Sequence, residues 1–321
     1  MAADPAPRSS PAELAERYDA LRPRLVGVAY AILGSRADAE DVVADTWLRL
    51  AGVAEPLDDL EAWAVVAVSR RALDVLRSAR VRRETYVGPW LPEPVLGGLA
   101  APGGPGGAGD GDDPADRVTL ADEVHYALLV LLERLSPAER TAWVLHDVFG
   151  LTFDEVARVV GRTPAAVRQL ASRARRHLAA ERTRAPVDPA EHDAVVAAFA
   201  GASLQGDLAG LVAVLDPDVV LTGDGGGVVS SARRPVVGAD RVARFLLGVL
   251  AKVDAAGRER VELVRVNGAT GFAIVRPEGP DGGATTRVTG VVALTTAGGR
   301  VVRVDLVRNP AKLAGLRGLP T

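Results

Sequence analysis

The sequence predicts a multidomain protein in which two all-α domains precede an α+β domain. Three observations carry that reading. Apolar residues recur at helical spacing from about residue 11 to 87 and again from about 119 to 178. Between these blocks lies Gly88–Pro114, where nine glycines and six prolines fill 27 positions. After Pro186 the pattern changes to two helices and then short alternating runs rich in β-branched residues. Helices followed by a meander of strands fit helices laid on one face of a curved antiparallel sheet. The expected division is 1–87, a linker at 88–118, 119–185, and 188–321, and 321 residues suffice for a core in each domain.

In the first block Leu14, Tyr18, Leu21, Leu25, Val28, Ile32 and Leu33 keep helical period up to Gly34, and Ser35 caps a second helix. That helix sets Val43, Trp47 and Leu50 on one face and Asp38, Asp41, Asp45 and Arg49 on another. A third helix, about Asp59–Arg82, turns Leu60, Ala64, Ala67, Val68, Ala72, Val75 and Ala79 inward. The glycine-rich half of the linker lacks the apolar surface to offset chain entropy and reads as flexible. Trp90, Leu91 and Val95, set among prolines, suit an extended ribbon that docks.

The second block starts near Thr119 with Val124, Leu128, Leu131, Leu132 and Leu135 aligned. Ser136-Pro137-Ala138-Glu139 supplies a cap, a first-turn proline and a capping-box glutamate for a helix carrying Trp143, Val144 and Val148. Leu151–Leu178 then reads as a helix-turn-helix, with Gly161 ending its first helix and Thr163 and Pro164 opening the second. Val167, Leu170, Ala171, Ala174 and Leu178 form the apolar stripe of that second helix. Arg168, Ser172, Arg175 and Arg176 face away from it, with Gln169 and Arg173 at its edges. Seven arginines and one acid, Glu181, fall between Arg162 and Arg184. A helix apolar on one side and cationic on the other suits a major groove flanked by phosphates. A solvated helical face is the plainer source of such a stripe.

The net charge of −3 confines any nucleic-acid footprint to local blocks. The arginine-rich helix is one; Arg70, Arg71, Arg77, Arg80, Arg82 and Arg83, broken only by Asp74, form another. The absence of cysteine excludes disulfides, thiolate metal sites and cysteine nucleophiles. No secretory leader or membrane-length apolar run is apparent, so a soluble cytoplasmic protein is expected. Expected strand runs are Asp218–Thr222, Val228–Val237, Glu259–Asn267, Gly271–Arg276, Thr285–Thr295 and Arg300–Val307. Helices are expected at about Pro189–Ser203, Asp207–Leu215 and Ala239–Val253.

These strings resemble a bacterial extracytoplasmic-function sigma factor of the kind carrying a fused C-terminal SnoaL-like domain, over nearly the whole chain. DAEDVVADTWLRL (Asp38–Leu50) is similar to the sigma region that binds the clamp helices of core RNA polymerase. The resemblance gives Asp38, Glu40, Asp41, Asp45, Trp47 and Leu48 that role, and an acidic edge beside an aromatic anchor suits a basic coiled coil. Ala44 stands where many members have glutamine. Leu60–Gly88 looks like the part that melts and reads the −10 promoter element. There Arg70, Arg71, Arg77, Arg80, Arg82 and Arg83 would hold phosphates, and Trp63 and Tyr86 would stack on bases, with a core role equally open to Trp63. Glu133–Ala157 with the helix-turn-helix resembles the region that reads the −35 element. That comparison assigns Arg168, Gln169, Ser172 and Arg173 to base edges and Arg175 and Arg176 to phosphates.

YVGPWLPEP (Tyr86–Pro94) resembles the linker hallmark of the SnoaL-fused group, and DGGG (Asp224–Gly227) and NPAKL (Asn309–Leu313) resemble two motifs of its last domain. Trp90, Leu91, Pro92, Asp224, Gly225, Gly226, Gly227, Asn309, Pro310 and Lys312 are therefore expected to make a regulatory interdomain contact. Val228 stands where a lysine commonly follows the glycines, and Ala311 where the second motif has an acid. The implied function is promoter specificity for RNA polymerase, regulated in cis, with core polymerase and promoter DNA as partners and no cofactor, metal or membrane. The resemblance also implies a SnoaL-like cavity in the last domain that could take an unidentified small-molecule ligand. The alternative is a SnoaL-type cyclase or isomerase fused to a DNA-binding regulator. Such enzymes need an Asp or His whose pKa is set in an apolar cavity. His192 reads as a surface or helix-face side chain, and Asp224 and Asp305 as turn and strand-end residues. His125, His146 and His177 form no metal spacing. No catalytic residue is expected.

Overall fold

The computed structural model describes residues 10–52, 57, 59–83, 86–97, 125–181, 188–256, 259–278 and 285–316. In chain order the elements are α1 (Pro11–Leu33), α2 (Arg36–Leu50), α3 (Leu60–Arg83), β1 (Leu96–Gly97), α4 (Tyr126–Leu132) and α5 (Pro137–Trp143). A π-helical turn, Val144–Val148, extends α5. Next come α6 (Phe153–Val160), α7 (Pro164–Glu181), α8 (Pro189–Leu204), α9 (Leu208–Val214), β2 (Leu215–Asp224), β3 (Val236–Val237) and α10 (Ala239–Ala256). The chain closes with β4 (Arg260–Val266), β5 (Ala269–Glu278), β6 (Thr285–Ala297), β7 (Arg300–Val307) and α11 (Pro310–Leu313). These elements fall into two compact units, Met1–Arg80 with Leu135–His177 and Val81–Arg134 with Leu178–Thr321.

The first unit is all helical, and local chemistry sets its helix ends. Ser10 and Glu13 form a capping box on α1, and the Ser35 hydroxyl accepts from the Asp38 N–H to start α2. Ser136–Glu139 and Thr152–Glu155 form the same reciprocal box on α5 and α6. Gly161 sits at φ +71 to close α6, a left-handed conformation that a β-carbon disfavours. The Thr163 hydroxyl then accepts from the Ala166 N–H to open α7. Burial follows the expected stripes: Leu25, Val28 and Ile32 on α1, Leu60, Ala64, Val68 and Ala72 on α3, and Val167, Leu170, Ala171 and Ala174 on α7. Tyr18 joins α1 to α2, its ring 5.3 Å from that of Trp47 and its hydroxyl donating to the Val43 carbonyl at 2.8 Å. Burial pushes that phenol up to about 12 against the pull of the Arg22 charge.

The second unit is a seven-stranded sheet in the order β1-β4-β5-β6-β7-β2-β3. Val196, Phe199, Leu211, Val242 and Leu246 from α8–α10 form one core with Leu221, Phe272, Leu294 and Val304. A second core joins Val264, Val266, Ala273, Val275, Val291 and Val307 of the strands to Leu91, to Tyr126 and Val130 of α4, and to Leu313 of α11.

Four expectations need correction. The sheet is not wholly antiparallel, because β2 pairs parallel with β7. The chain between them, with α10 and β4–β6, is the long crossover that a parallel pair requires. Of the expected run Val228–Val237 only Val236–Val237 is strand; the residues before it form turns and bends. In α4 the buried residues are Tyr126, Leu129, Val130 and Leu132 rather than a stripe through Leu128 and Leu131, because Tyr126 and Val130 pack on the sheet. Asp305 is no strand end: it lies within β7, almost fully buried. The glycine-rich half of the linker lies outside the described residues.

Candidate functional site

Tyr86–Gly97 crosses the sheet as an extended ribbon whose principal anchor is the carboxylate of Asp224, the fully buried last residue of β2. Four donors converge on it. Tyr86 Oη donates to Oδ1 at 2.5 Å and the Gly226 N–H to the same oxygen at 3.0 Å. The Leu91 N–H donates to Oδ2 at 3.0 Å, and Lys312 Nζ stands 2.6 Å from that oxygen. A carboxylate offers about four acceptor positions, so this one is saturated. Asn309 extends the set, its Nδ2 donating to Tyr86 Oη at 2.7 Å while its Oδ1 accepts from the Ala311 N–H to cap α11. Lys312 also donates to the Leu91 carbonyl, and its ammonium lies 3.8 Å from the centroid of the Trp90 ring.

The glycine after Asp224 but one has a steric reason. Gly226 sits at φ +65, and a β-carbon there would stand 2.6 Å from the Asn309 side chain. The two departures from the motifs are harmless to this geometry, since Val228 and Ala311 are both exposed. Asp224, Asn309 and Lys312 make the contacts.

A second anchor holds the far end of the ribbon. The backbone of Val95 is bracketed by Asn267, whose N–H donates to the Val95 carbonyl at 2.8 Å and whose Oδ1 accepts from the Val95 N–H at 3.0 Å. Leu96 and Gly97 then add to the edge of β4 opposite Val266 and Arg265. Between the anchors, Tyr126 Oη donates to the Pro92 carbonyl at 2.9 Å. Sequence reading missed Asn267 and Tyr126, which carry no motif; the nearest signal was Asn-Gly at 267–268, a turn dipeptide. Ordering each ribbon residue costs about 1–2 kcal/mol. Burying Leu91 and Val95 returns about 1.5–3 kcal/mol each, so the polar clasps are required.

In the helical unit, Asp38, Asp41, Asp45 and Leu48 follow one stripe of α2. Asp41 and Leu48 are exposed, Leu48 at 70%; Glu40 pairs with Arg36 at 2.8 Å and Asp45 with Arg71 at 3.2 Å. On α3, Trp63 is half-buried, Arg77 pairs with Asp74 at 3.4 Å, and Arg70 donates to the carbonyl of Arg158. The side chains of Arg80, Arg82 and Arg83 lie outside the described residues. Tyr86 is hydrogen-bonded to Asp224 and Asn309.

The exposed face of α7 carries Arg168, Gln169, Ser172, Arg173, Arg175 and Arg176. Arg173 is paired with Glu139 at 3.0 Å and Arg175 with Asp147 at 2.6 Å. The Arg168 guanidinium lies 5.2 Å from the Phe153 ring, which stacks on His146 at 3.9 Å. Burial alone would raise the Glu139 carboxyl, but bonds from Ser136 and Arg173 hold it below the usual range.

Residues 17–82 match Sigma-70 region 2, residues 125–178 match Sigma-70, region 4, and residues 193–304 match a SnoaL-like domain. The ECF RNA polymerase sigma factor SigJ of Mycobacterium tuberculosis is 42% identical over 301 residues, 93% of this chain and 92% of the relative. The chain belongs to the ECF RNA polymerase sigma factors. A probable member from the same species, SigI, is 38% identical over 94% of each chain. The crystal structure of M. tuberculosis SigJ superposes with a TM-score of 0.72 at 38% identity, covering 94% of this chain and 98% of that one. The protein is thus a promoter-specificity factor whose sigma regions are followed by a SnoaL-like domain, and core polymerase and promoter DNA are its partners. Sigma factors as a family are not enzymes.

Besides Asp224, two buried titratable side chains of the SnoaL-like domain, His192 and Asp305, have hydrogen-bond partners. His192 is buried rather than a surface residue, with Nδ1 2.8 Å from Thr296 Oγ1 and Nε2 2.9 Å from the Thr270 carbonyl. Asp305 accepts from Arg303 Nε at 2.9 and 2.7 Å, and Arg303 also donates to Thr222. Burial pushes the Asp305 carboxyl above the usual range, with Arg303 opposing. Among the described residues no cluster of His, Cys, Asp and Glu is arranged to hold a metal, and no helix is long and apolar enough to cross a membrane.

Proposed function

We propose that the SnoaL-like domain regulates this cytoplasmic sigma factor in cis, by contact with the linker rather than by turnover. The observation that carries this reading is the convergence of Tyr86, Leu91 and Lys312 on the buried Asp224 carboxylate. The ribbon sits between the −10-reading and −35-reading sequences, so fixing its path restricts how far apart the two regions can stand. His192, Asp224 and Asp305, the residues considered above for proton transfer, are all engaged by neighbours. No ligand is needed for this mode of control.

The promoter-directed parts follow the sigma regions. The Asp38–Leu48 stripe of α2, with Glu40 and Trp47, docks the polymerase clamp helices. Arg70, Arg71 and Arg77 of α3 serve the −10 strand, with Arg80, Arg82 and Arg83 beyond them. On α7, Arg168, Gln169, Ser172 and Arg173 address −35 base edges, and Arg175 and Arg176 the phosphates. Run-off transcription with core polymerase tests the reading, comparing the full chain with one ending after Arg184. Altered promoter-dependent output is expected; identical output at equal core occupancy, or turnover of a cyclic ketone by the full chain, contradicts it.

A further inference from the structure

Arg168, one turn into α7, rests on a stack of two rings supplied by the elements before it. Its guanidinium carbon lies 5.2 Å from the centroid of the ring of Phe153, the first residue of α6. Phe153 stacks in turn on His146, with centroids 3.9 Å and planes 28° apart. His146 is itself tied down, because its Nδ1 donates to the Leu151 carbonyl at 2.8 Å. It belongs to the π-helical turn Val144–Val148, whose wider ladder displaces side chains from α-helical register. Such turns recur at functional sites. The same turn supplies Asp147, which holds Arg175 at 2.6 Å. One irregular turn thus supports two arginines of α7, one through rings and one through a carboxylate.

The geometry points to Phe153 as a positioning residue that sets specificity: seated on His146, it aims the Arg168 guanidinium at one −35 base pair. The inference rests on the reading that Arg168 addresses a −35 base edge. Residues near the start of a recognition helix are the ones that meet base edges. An arginine on its flexible stem also reaches phosphates, and that contact carries no sequence information. Discrimination requires the planar fork to be set against a base edge. A ring restricts the fork without occupying it. An ion pair spends N–H donors on a carboxylate, whereas ring contact leaves them for the base. Arg173 and Arg175 are held by acids, while Arg168 has no acid partner among the described residues. Burial argues the same way. Val156, Ala157 and Val160 of α6 are buried in the core, but Phe153 is only half-buried and Arg168 is exposed. The Phe153 ring therefore does more than fill the core of the helix-turn-helix.

Run-off transcription by the full chain with core polymerase tests this, on promoters substituted at each −35 base pair in turn. Phe153→Leu keeps the site apolar and removes the ring, and Phe153→Tyr keeps the ring face. At the base pair whose preference Arg168→Ala relaxes, Phe153→Leu is expected to lower that preference about 2- to 5-fold, the worth of an exposed cation–π contact. Preferences at the other −35 positions hold, Phe153→Tyr retains the preference, and Phe153→Leu adds nothing in the Arg168→Ala background. Ring-fluorinated phenylalanines at position 153 keep the shape while weakening the negative ring face, so the same preference should decline with fluorine number. Lost packing would not produce that series. Equal weakening on every promoter, or a preference unmoved by fluorination, overturns the positioning role. If Arg168→Ala itself relaxes no −35 position, the base-edge reading of α7 fails and the inference with it.

Discussion

At the scale of single residues, the structure separates side chains that sequence pattern treats alike. Lys312 and Asp224 form an ion pair with side-chain exposures of 11% and 0%. Lys312→Ala leaves a buried carboxylate without its cation and is expected to destabilise the SnoaL-like domain by about 3–5 kcal/mol. Asp224→Asn added to it should recover part of that loss, and urea unfolding of the two variants reads both numbers. The arginines of α7 divide similarly. Arg168 rests on an aromatic ring, and Arg176 makes no ion pair among the described residues, whereas Arg173 and Arg175 are held by acids. Arg168→Ala is expected to cost about 1–3 kcal/mol on the −35 element and to relax sequence preference. Arg176→Ala is expected to weaken binding to every duplex and to reduce the salt slope by about one. Titrations on specific and scrambled duplexes at several salt concentrations check the division, and identical behaviour of the two variants contradicts it.

At the scale of elements, helix ends were legible, and of the ribbon's two landing places the Asp224 end was legible from its motifs while the Asn267 end was not. Ser136-x-x-Glu139 and Thr163-Pro164 act on backbone groups within one turn, so the local sequence contains both partners. The docking of Trp90, Leu91 and Val95 could be anticipated from apolar residues among prolines. Asn267 could not, because its partner Val95 lies 172 residues away and an Asn-Gly turn says nothing of what crosses above it. The parallel pairing of β2 with β7 escaped for the same reason: alternation locates a strand and leaves its neighbour open.

The capping boxes also carry a pH dependence. Hydrogen bonds from the Thr152 side chain and backbone hold the Glu155 carboxyl below its usual range, and Glu139 is lowered as well. A carboxyl depressed in the folded state stabilises above its unfolded pKa, about 4.3 for glutamate, and that stability fades as pH falls through the folded value. Thermal melts from pH 7 downward should therefore show α5–α7 losing stability in the acid range. Glu155→Gln is expected to flatten that dependence, and Thr152→Ala to cost about 1 kcal/mol at neutral pH. An unchanged acid limb in Glu155→Gln would remove this account of the cap.

At the scale of the whole molecule, two sigma regions and a SnoaL-like domain share one chain, and the connection between the regions is engaged by the third domain. The central claim is that this engagement is functional, and a double-mutant cycle on transcription tests it most directly. Trp90 packs on the ammonium of Lys312, which pairs with Asp224, so the two ends of the cycle meet through one side chain. Trp90→Ala, Asp224→Ala and their combination are assayed for promoter-dependent run-off with core polymerase at matched core occupancy. The account predicts that each single variant shifts output and that the double variant shifts it by less than the sum, as contacting residues do. Strictly additive effects, or output unmoved by either variant, would contradict it.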